Sequence, residues 1–390
     1  MTADATDDVA AILTADPAPG AAGSATRLHP ADDDELATWD ARTVDPPDGN
    51  VLQSRAWADY RAAHGWRTWH LAFEDGAGLL VVGRHRPVIG GGWAYATRGP
   101  IPELDPANTA ARASAAADYM AGQGMDALIV DGETTAEAGL AGLLRERGFD
   151  PIDELQPSRH RMDLELPLRA DDDTVLRSFA ATTRNLIHQA ERKGLRVIRL
   201  DARAWSPEAE FESPSAADEA DPTRLFTSFH GMLDATARRV GFALASEAAF
   251  LDWSRRALAA GHLLYLHAVD ADDQPVAGAS FYRHGDRLTY SLAGDRAELR
   301  RTHPGAVRLL LWRGTQIAMR EGRSRMDLGG VDVRGARRRP GPDDETYGKY
   351  QFKASFGARW VELTGAHERR MRPLRHAAGR ALGRLAALAR

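Results

Sequence analysis

The chain of 390 residues is long enough for two domains, and its 43% hydrophobic and 27% charged residues are ordinary for a globular protein. Its net charge of -5 gives no overall basic field, so any contact with nucleic acid requires a local basic patch. The sequence contains no cysteine, which excludes disulfides, thiolate nucleophiles and cysteine-bound metals.

The first 25 residues are rich in Ala, Asp, Pro and Gly, a composition that predicts a disordered N-terminal tail. The tail is acidic and therefore lacks the basic start of an export signal. No apolar run approaches the ~20 residues that a membrane span needs. We therefore expect a cytoplasmic protein, with peripheral contact at the inner membrane surface left open.

Hydrophobic spacing in the first half predicts alternating helices and strands. Ser54 is a suitable N-cap for the first clear helix, and three consecutive glycines at 90–92 predict a turn between strands. The predicted elements are a helix at 54–61, strands at 68–73, 79–82 and 93–96, a helix at 106–121, a strand at 125–130, and a helix at 137–147 closed by Gly148.

The second half repeats this organisation, with a polar, acidic stretch at 206–222 that predicts a loop. We therefore predict two similar α/β units without repeats at the residue level. The predicted elements are a strand at 161–166, helices at 171–179 and 183–193, a strand at 195–200, helices at 223–238 and 247–260, a meander of strands at 263–269, 276–282 and 287–292, a helix at 305–321 and a strand at 325–328.

The C-terminal residues 371–390 predict a basic amphipathic helix. Such a helix packs its apolar side on the protein body, or it lies on an anionic membrane or on RNA. The residues that share one side are Leu374, Ala378, Leu382, Leu385 and Leu388.

Lysine is rare in this chain, with three lysines among 50 basic residues. Lys349 and Lys353 lie in one segment interrupted by aromatic residues and glycines, and Lys193 is the third. Lys presents a compact ammonium, whereas Arg presents a planar fork, so a narrow site that must meet an oxyanion favours Lys. Leftover surface lysines are the alternative.

Other local patterns are weaker. The 13 histidines show no metal-binding spacing, so we expect no metal site, and the sequence contains no P-loop, GxGxxG or GxSxG motif, which argues against nucleotide hydrolysis, Rossmann redox chemistry and serine hydrolysis. Gly329 and Gly330 follow a predicted strand and indicate close backbone approach or a plain turn. The arginine-rich segment 334–342 indicates phosphate contact or a solvated loop.

A series of short motifs between Val51 and Gly365 resembles the FemABX family, the aminoacyl-tRNA-dependent transferases that build peptidoglycan cross-bridges. Each motif is short, and their order and spacing make the resemblance specific. The motifs are Leu52-Gln53-Ser54 with Trp57 and Gly65-Trp66, Arg98-Gly99-Pro100, Val130-Asp131-Gly132-Glu133, Arg184-Asn185-Leu186-Ile187 with Ala190 and Lys193-Gly194, Asp327-Leu328-Gly329-Gly330, and Phe352-Lys353-Ala354-Ser355-Phe356-Gly357.

The resemblance implies an α/β (α+β) fold of two tandem GNAT-like (acyl-CoA N-acyltransferase-like) domains, with mixed sheets flanked by helices. The first domain is expected at 26–160 plus 358–390 and the second at 161–357, after the tail at 1–25. The implied reaction moves an amino acid from aminoacyl-tRNA to an amine of a UDP-linked or lipid-linked peptidoglycan precursor. It requires no ATP, metal or coenzyme A.

The resemblance also implies residue roles. Lys353 matches the lysine that stabilises the oxyanion, and Asp131 matches a position linked with acceptor binding. Arg184 binds a precursor phosphate or, alternatively, caps its own helix. The expected substrate-binding residues are Phe352, Arg184, Asn185, Arg98, Lys349, Gly329 and Gly330.

The sequence departs from the family pattern in four places, the first being that no residue stands between Arg184 and Asn185, where some members have one. Gly132 stands where the family has proline, the insert at 334–342 has no counterpart, and the long helical arm of some members is missing near 206–222. Two other functions stay open: an acyl-CoA-dependent N-acyltransferase, although the segment 300–306 lacks the usual coenzyme A loop spacing, and a non-catalytic protein that binds envelope precursors or RNA.

Overall fold

The computed structural model of the protein describes residues 27–86, 90–102, 105–152, 159–206, 209–241, 243–331, 333 and 338–388. The predicted disordered tail at 1–25 lies outside the described residues. Arg334 and Arg337 of the arginine-rich insert also lie outside them, whereas Arg338 pairs with Asp344 at 2.6 and 2.7 Å.

Helices flank two sheets along the whole described chain. They are α1 (Asp33–Ala37), α2 (Trp39–Thr43), α3 (Arg55–Ala63), α4 (Pro106–Gly122), α5 (Leu140–Glu146), α6 (Asp172–Ser178), α7 (Ala181–Arg192), α8 (Ala216–Ala220), α9 (Thr223–Val240), α10 (Glu247–Ala259), α11 (Ala306–Arg320), α12 (Tyr347–Ala354) and α13 (Pro373–Leu388), with short 3-10 turns at Val51–Gln53, Ala136–Ala138 and Ala297–Leu299.

The first sheet has the strand order β1-β2-β3-β4-β5-β14-β6. Its pairs are antiparallel except for β4 and β5, which are parallel and joined by the crossover helix α4. Its strands are β1 (Leu28–Pro30), β2 (Arg67–Phe73), β3 (Gly78–His85), β4 (Gly92–Ala96), β5 (Ala127–Val130), β6 (Phe149–Pro151) and β14 (His367–Arg370).

The second sheet has the order β13-β7-β12-β11-β10-β9-β8 and repeats the design, because β11 and β12 are its parallel pair and α11 is the crossover between them. The predicted pair of mixed sheets flanked by helices is therefore confirmed. Its strands are β7 (His160–Glu165), β8 (Arg196–Asp201), β9 (Leu263–Val269), β10 (Pro275–His284), β11 (Arg287–Asp295), β12 (Arg325–Asp327) and β13 (Arg359–Glu362).

The end of the chain contributes to both sheets. Strand β13 pairs with β7 at the edge of the second sheet, and β14 then enters the first sheet between β5 and β6. The two units are thus joined by the connection after β6 and by the return from β13 to β14. The domain boundaries proposed from the sequence stay a prediction.

An aromatic cluster contributes to the contact between the units. Trp57 of α3 lies edge-on to Trp253 of α10, with ring centroids 4.9 Å apart. Tyr60 stacks on Trp57 at 5.2 Å and lies 5.6 Å from Trp253. Aromatic pairs at these distances add directional packing to the area they bury, so α3 and α10 hold the two halves together.

Several predicted elements differ from the structure in detail. Gly139, with φ +77°, breaks the predicted helix at 137–147 into a 3-10 turn and α5. The predicted loop at 206–222 contains α8, because the Ser215 side chain caps it by accepting from Asp218 N at 3.2 Å. Ser54 caps α3 as predicted, with its hydroxyl accepting from Trp57 N at 3.1 Å.

Candidate active site

Lys353 lies on α12 and points at the turn that follows β12. Its Nζ donates hydrogen bonds to the carbonyl oxygens of Gly329 and Gly330, each at 2.9 Å. An ammonium has three N–H donors, so this arrangement fixes the group and leaves one donor for a ligand. The structure therefore brings three of the predicted site residues together.

The turn itself explains the first of the two glycines. Gly329 adopts φ +77°, a conformation that L-residues rarely adopt, and its N–H donates to Asp327 Oδ1 at 2.7 Å. A Cβ at this position would lie 3.3 Å from Lys353 Nζ. Close approach of backbone and ammonium is therefore the reason for glycine here, as one of the two sequence interpretations held.

The surroundings of Lys353 change its acidity. Burial lowers the pKa of Lys353 to about 8, an effect that Lys349 reinforces and Asp327 opposes. Asp327 is itself buried, and burial together with the charges of Glu133 and Asp163 raises its pKa. A positioned ammonium with a lowered pKa is suited to stabilise developing negative charge and to donate a proton.

A cavity of about 760 Å³ opens beside Lys353. Phe352 and Lys349 line it from α12, and the start of α11 lines it as well. Gly305, with φ +84°, precedes α11, and no side chain caps the helix, so its first-turn N–H groups remain available at the end of the helix that lines the cavity. The basic residues that line the cavity are Arg239, Arg296, Arg300, His303, Arg308, Lys349 and Lys353.

Arg308 gives this cavity a specific cationic wall. Its guanidinium lies over the ring of Phe352 at 4.9 Å, and burial lowers its pKa. Arg300, by contrast, is neutralised by Asp295. Together with the helix N-terminus, Arg308 makes the cavity complementary to an anionic ligand. Arg308 was not among the predicted site residues, although it lies two positions after Ala306, the first residue of α11.

Asp131 lies at the end of β5 in the first unit. Its carboxylate accepts from Tyr95 Oη at 2.8 Å and from Arg98 N at 2.5 Å. Burial raises the pKa of Asp131 to about 6. Gly132 is required here, because a Cβ would lie 2.5 Å from the Pro100 carbonyl oxygen. The loop after Asp131 therefore differs from the proline-containing family pattern for a steric reason.

Arg98 and Glu133 surround Asp131 with buried charge. The Arg98 guanidinium lies 3.7 Å from Asp131 and 3.8 Å from Glu133. Glu133 also pairs with Arg287 of β11 and accepts from Asn50 Nδ2 at 3.3 Å. Although burial opposes its charge, Arg287 and Arg98 hold the pKa of Glu133 far below its usual range. This cluster spans the two units.

The predicted site residues thus form two groups. Lys353, Phe352 and Lys349 line the cavity, and Asp131 is not among the lining residues that the structure describes. The charge of Asp327 acts on both groups, because it favours the protonated forms of Lys353 and of Arg98. Glu133, Arg287 and Asp327 were not predicted as site residues. The sequence did offer a signal for Glu133, because Asp131 and Glu133 both follow directly after a strand that is predicted to be buried.

Arg184 and Asn185 lie on α7 and are not among the described residues that line the cavity. Arg184 Nη1 donates to the carbonyl oxygens of Arg177, at 3.1 Å, and of Phe179 at the end of α6. Asn185 is exposed. Arg184 therefore caps the end of the preceding helix α6 and not its own helix, and its binding of a precursor phosphate stays a prediction. The next residue, Leu186, lines the cavity instead.

Comparison with known proteins agrees with this architecture. The sequence model of the acetyltransferase (GNAT) domain matches residues 181–354. The crystal structure of FemX superposes with a TM-score of 0.72 at 17% identity, covering 90% of this chain and 99% of that one. The fold is that of FemX.

Two further similarities extend the comparison. A lipid II:glycine glycyltransferase of Staphylococcus epidermidis is 24% identical and is aligned over 50% of each chain, so the chain spans about half the length of this curated relative. The structure of L-PGS from Bacillus licheniformis has a TM-score of 0.51 at 11% identity, covering 90% of this chain and 97% of that one. Homology to the glycyltransferase and the FemX fold confirm the resemblance to the FemABX family.

Proposed function

We propose that this protein is an aminoacyltransferase that moves an amino acid from aminoacyl-tRNA to an amine of a peptidoglycan precursor, as in cross-bridge formation. The observation that supports it most is the Lys353 ammonium, fixed by two carbonyl oxygens at the wall of a basic cavity. The similarity to a lipid II:glycine glycyltransferase supports the acceptor class.

The cavity is the proposed donor site. The tRNA 3′ end is polyanionic, and Arg308, Lys349 and the N-terminus of α11 offer it cationic and N–H partners. Phe352 bounds the space and holds the Arg308 guanidinium in place. The aminoacyl ester then lies against Lys353, whose remaining N–H reaches its carbonyl oxygen.

The proposed reaction forms one C–N bond and breaks one C–O bond. The acceptor amine attacks the ester carbonyl carbon, negative charge builds on the carbonyl oxygen, and the Lys353 ammonium stabilises it. Collapse of this intermediate expels the ribose 3′ oxygen, and the attacking nitrogen loses one proton as the leaving oxygen gains one. Holding both substrates in register removes much of the entropic barrier.

Asp131 is proposed to orient the acceptor amine. Tyr95 and the Arg98 backbone hold its carboxylate, and further lone pairs remain for an ammonium or amine. Glu133 neutralises Arg98 and Arg287 and so leaves Asp131 able to act on a substrate. Both proposed substrates place the reaction on the cytoplasmic side, with a UDP-linked or lipid-linked acceptor.

A second candidate is an acyl-CoA-dependent N-acyltransferase. The match to the GNAT domain and the anionic-ligand site at the start of α11 favour it, because a pyrophosphate suits a helix N-terminus. Its product would have the same amide bond, so only the donor distinguishes the two functions.

The test is a donor comparison with the purified full chain. The chain is incubated with a muropeptide precursor and either a mixture of charged tRNAs or acyl-CoA, and the products are analysed by mass spectrometry. We expect charged tRNA, and not acyl-CoA, to give a stem peptide extended by one amino-acid residue. A product formed only with acyl-CoA would establish the second candidate, and no product with either donor would contradict both.

A further inference from the structure

The outward face of α13 is apolar and exposed. Leu374 is 88% and Leu382 49% exposed, and they are two of the three large hydrophobic side chains that are exposed in the described part of the chain, the third being Leu168. Ala378, also exposed, lies between them at a spacing of four residues. These three residues share one face of the helix. Packing of this stripe on the protein body, one of the interpretations from the sequence, therefore does not hold for Leu374 and Leu382.

Polar contacts hold the opposite face of α13 on the first unit. Arg375 Nε donates to Asp126 Oδ1 at 2.5 Å and its Nη2 donates to Gly124 O at 2.9 Å. The buried His376 lies 3.4 Å from Glu368. A Cβ at Gly379 would lie 2.2 Å from the Arg86 guanidinium, so the helix backbone sits directly on that side chain. Rotating the helix to bury its leucines would break these contacts.

The C-terminal segment is strongly basic in an acidic protein. Residues 367–390 contain seven arginines and one acidic residue, Glu368, whereas the whole chain has a net charge of -5. A shallow cavity of about 690 Å³ beside the helix is lined by Leu374, Arg370 and Arg380. Aliphatic and cationic groups thus lie side by side on this surface.

We propose that α13 docks this protein on an anionic lipid bilayer, with Leu374 and Leu382 inserted at the boundary of headgroups and acyl chains. Arg370 and Arg380, which flank Leu374, then contact lipid phosphates. Binding of this kind combines buried apolar area with attraction to anionic lipid. The part of the chain that the structure describes contains no helix suited to cross a membrane, so the proposed contact is peripheral.

A lipid surface explains this face better than RNA does. Proteins that bind single-stranded RNA stack bases on aromatic rings, and residues 373–390 contain no Phe, Tyr or Trp. Exposed leucines add nothing to phosphate contacts, but their transfer from water into a bilayer is favourable. The inference does not rest on the proposed reaction, and it is tested without substrates.

The experiment measures flotation of the full chain with vesicles of phosphatidylcholine, with and without phosphatidylglycerol. We expect binding to the anionic vesicles. The double variant Leu374→Ser/Leu382→Ser is expected to bind at least about tenfold more weakly, because two leucines no longer insert. Leu168→Ser is the matched control, since Leu168 is 82% exposed on another part of the surface, and it should bind like the wild type.

Three results would overturn the proposal. The wild type could fail to bind anionic vesicles, or the double variant could bind them as well as the wild type does. A tRNA that binds the wild type through Leu374 and Leu382 would assign this face to RNA instead. Circular dichroism of both variants establishes that they are folded, and gel filtration tests whether the leucines instead join two copies of the chain.

Discussion

The contact between Lys353 and the turn at Gly329 and Gly330 is the central feature at the scale of single residues. Two backbone carbonyls orient the ammonium, and burial lowers its pKa to about 8. Arginine would present a planar fork to carbonyls that accept from a single nitrogen. This is a physical reason for a lysine in a chain that otherwise uses arginine.

Gly329→Ala is expected to reduce the transfer rate at least about tenfold, because its Cβ would lie 3.3 Å from Lys353 Nζ and displace the ammonium. Gly322→Ala is the matched control. Gly322 also has a positive φ, +68°, but nothing lies within 4 Å of its Cβ position. Both variants carry backbone strain of about 1–2 kcal/mol. Equal rates in the two variants would contradict the positioning role of Gly329.

At the scale of elements, the buried charges between β5 and β11 join the two units. Glu133 binds Arg98 of its own unit and Arg287 of the other, and Arg287 is fully buried. A buried cation that loses its partner is strongly destabilising, whereas exposed pairs contribute little. The cluster therefore specifies how the two sheets sit beside each other.

Glu133→Gln is expected to lower the free energy of unfolding by about 3 kcal/mol, since it removes the carboxylate that pairs with Arg98 and with the buried Arg287 and leaves Arg287 only Asp48, at 3.3 Å. Chemical denaturation followed by circular dichroism measures the change. Glu165→Gln is the control, because Glu165 and Arg359 form a pair whose side chains are both 69% exposed. It should change stability by less than about 0.5 kcal/mol, and similar losses in the two variants would contradict the account.

The sequence predicted elements with strong periodicity and missed those made by long-range pairing. Local signals predict the Ser54 cap of α3, the meander of β9 to β11 and both crossover helices. The short strands β13 and β14 have no such signal, because their partners are distant in sequence. The site shows the same division: motifs selected Lys353 and Asp131, but the pairing of Glu133 with Arg287, separated by 154 positions, depends on the tertiary fold.

At the scale of the whole molecule, each unit contributes one ionisable group to the proposed reaction. Asp131 directly follows β5 of the first sheet, and Lys353 lies on α12, between β12 and β13 of the second sheet. Burial raises the pKa of Asp131 to about 6 and lowers the pKa of Lys353 to about 8. The working state has the carboxylate ionised and the lysine protonated.

The pH dependence of kcat/KM should therefore be bell-shaped. Activity rises as Asp131 loses its proton near pH 6, and it falls as Lys353 loses its proton near pH 8. Asp131→Asn should remove the acid limb and lower the plateau while leaving the alkaline limb in place. An acid limb that survives in Asp131→Asn would contradict the role of that carboxylate.

The most direct test of the central claim compares two lysine variants in single-turnover transfer from charged tRNA. Lys353→Ala should slow transfer about 10²-fold or more, because the oxyanion loses its cation. Lys193→Ala, which removes an exposed lysine at the end of α7, should transfer at the wild-type rate. Wild-type turnover by a folded Lys353→Ala protein would contradict the account.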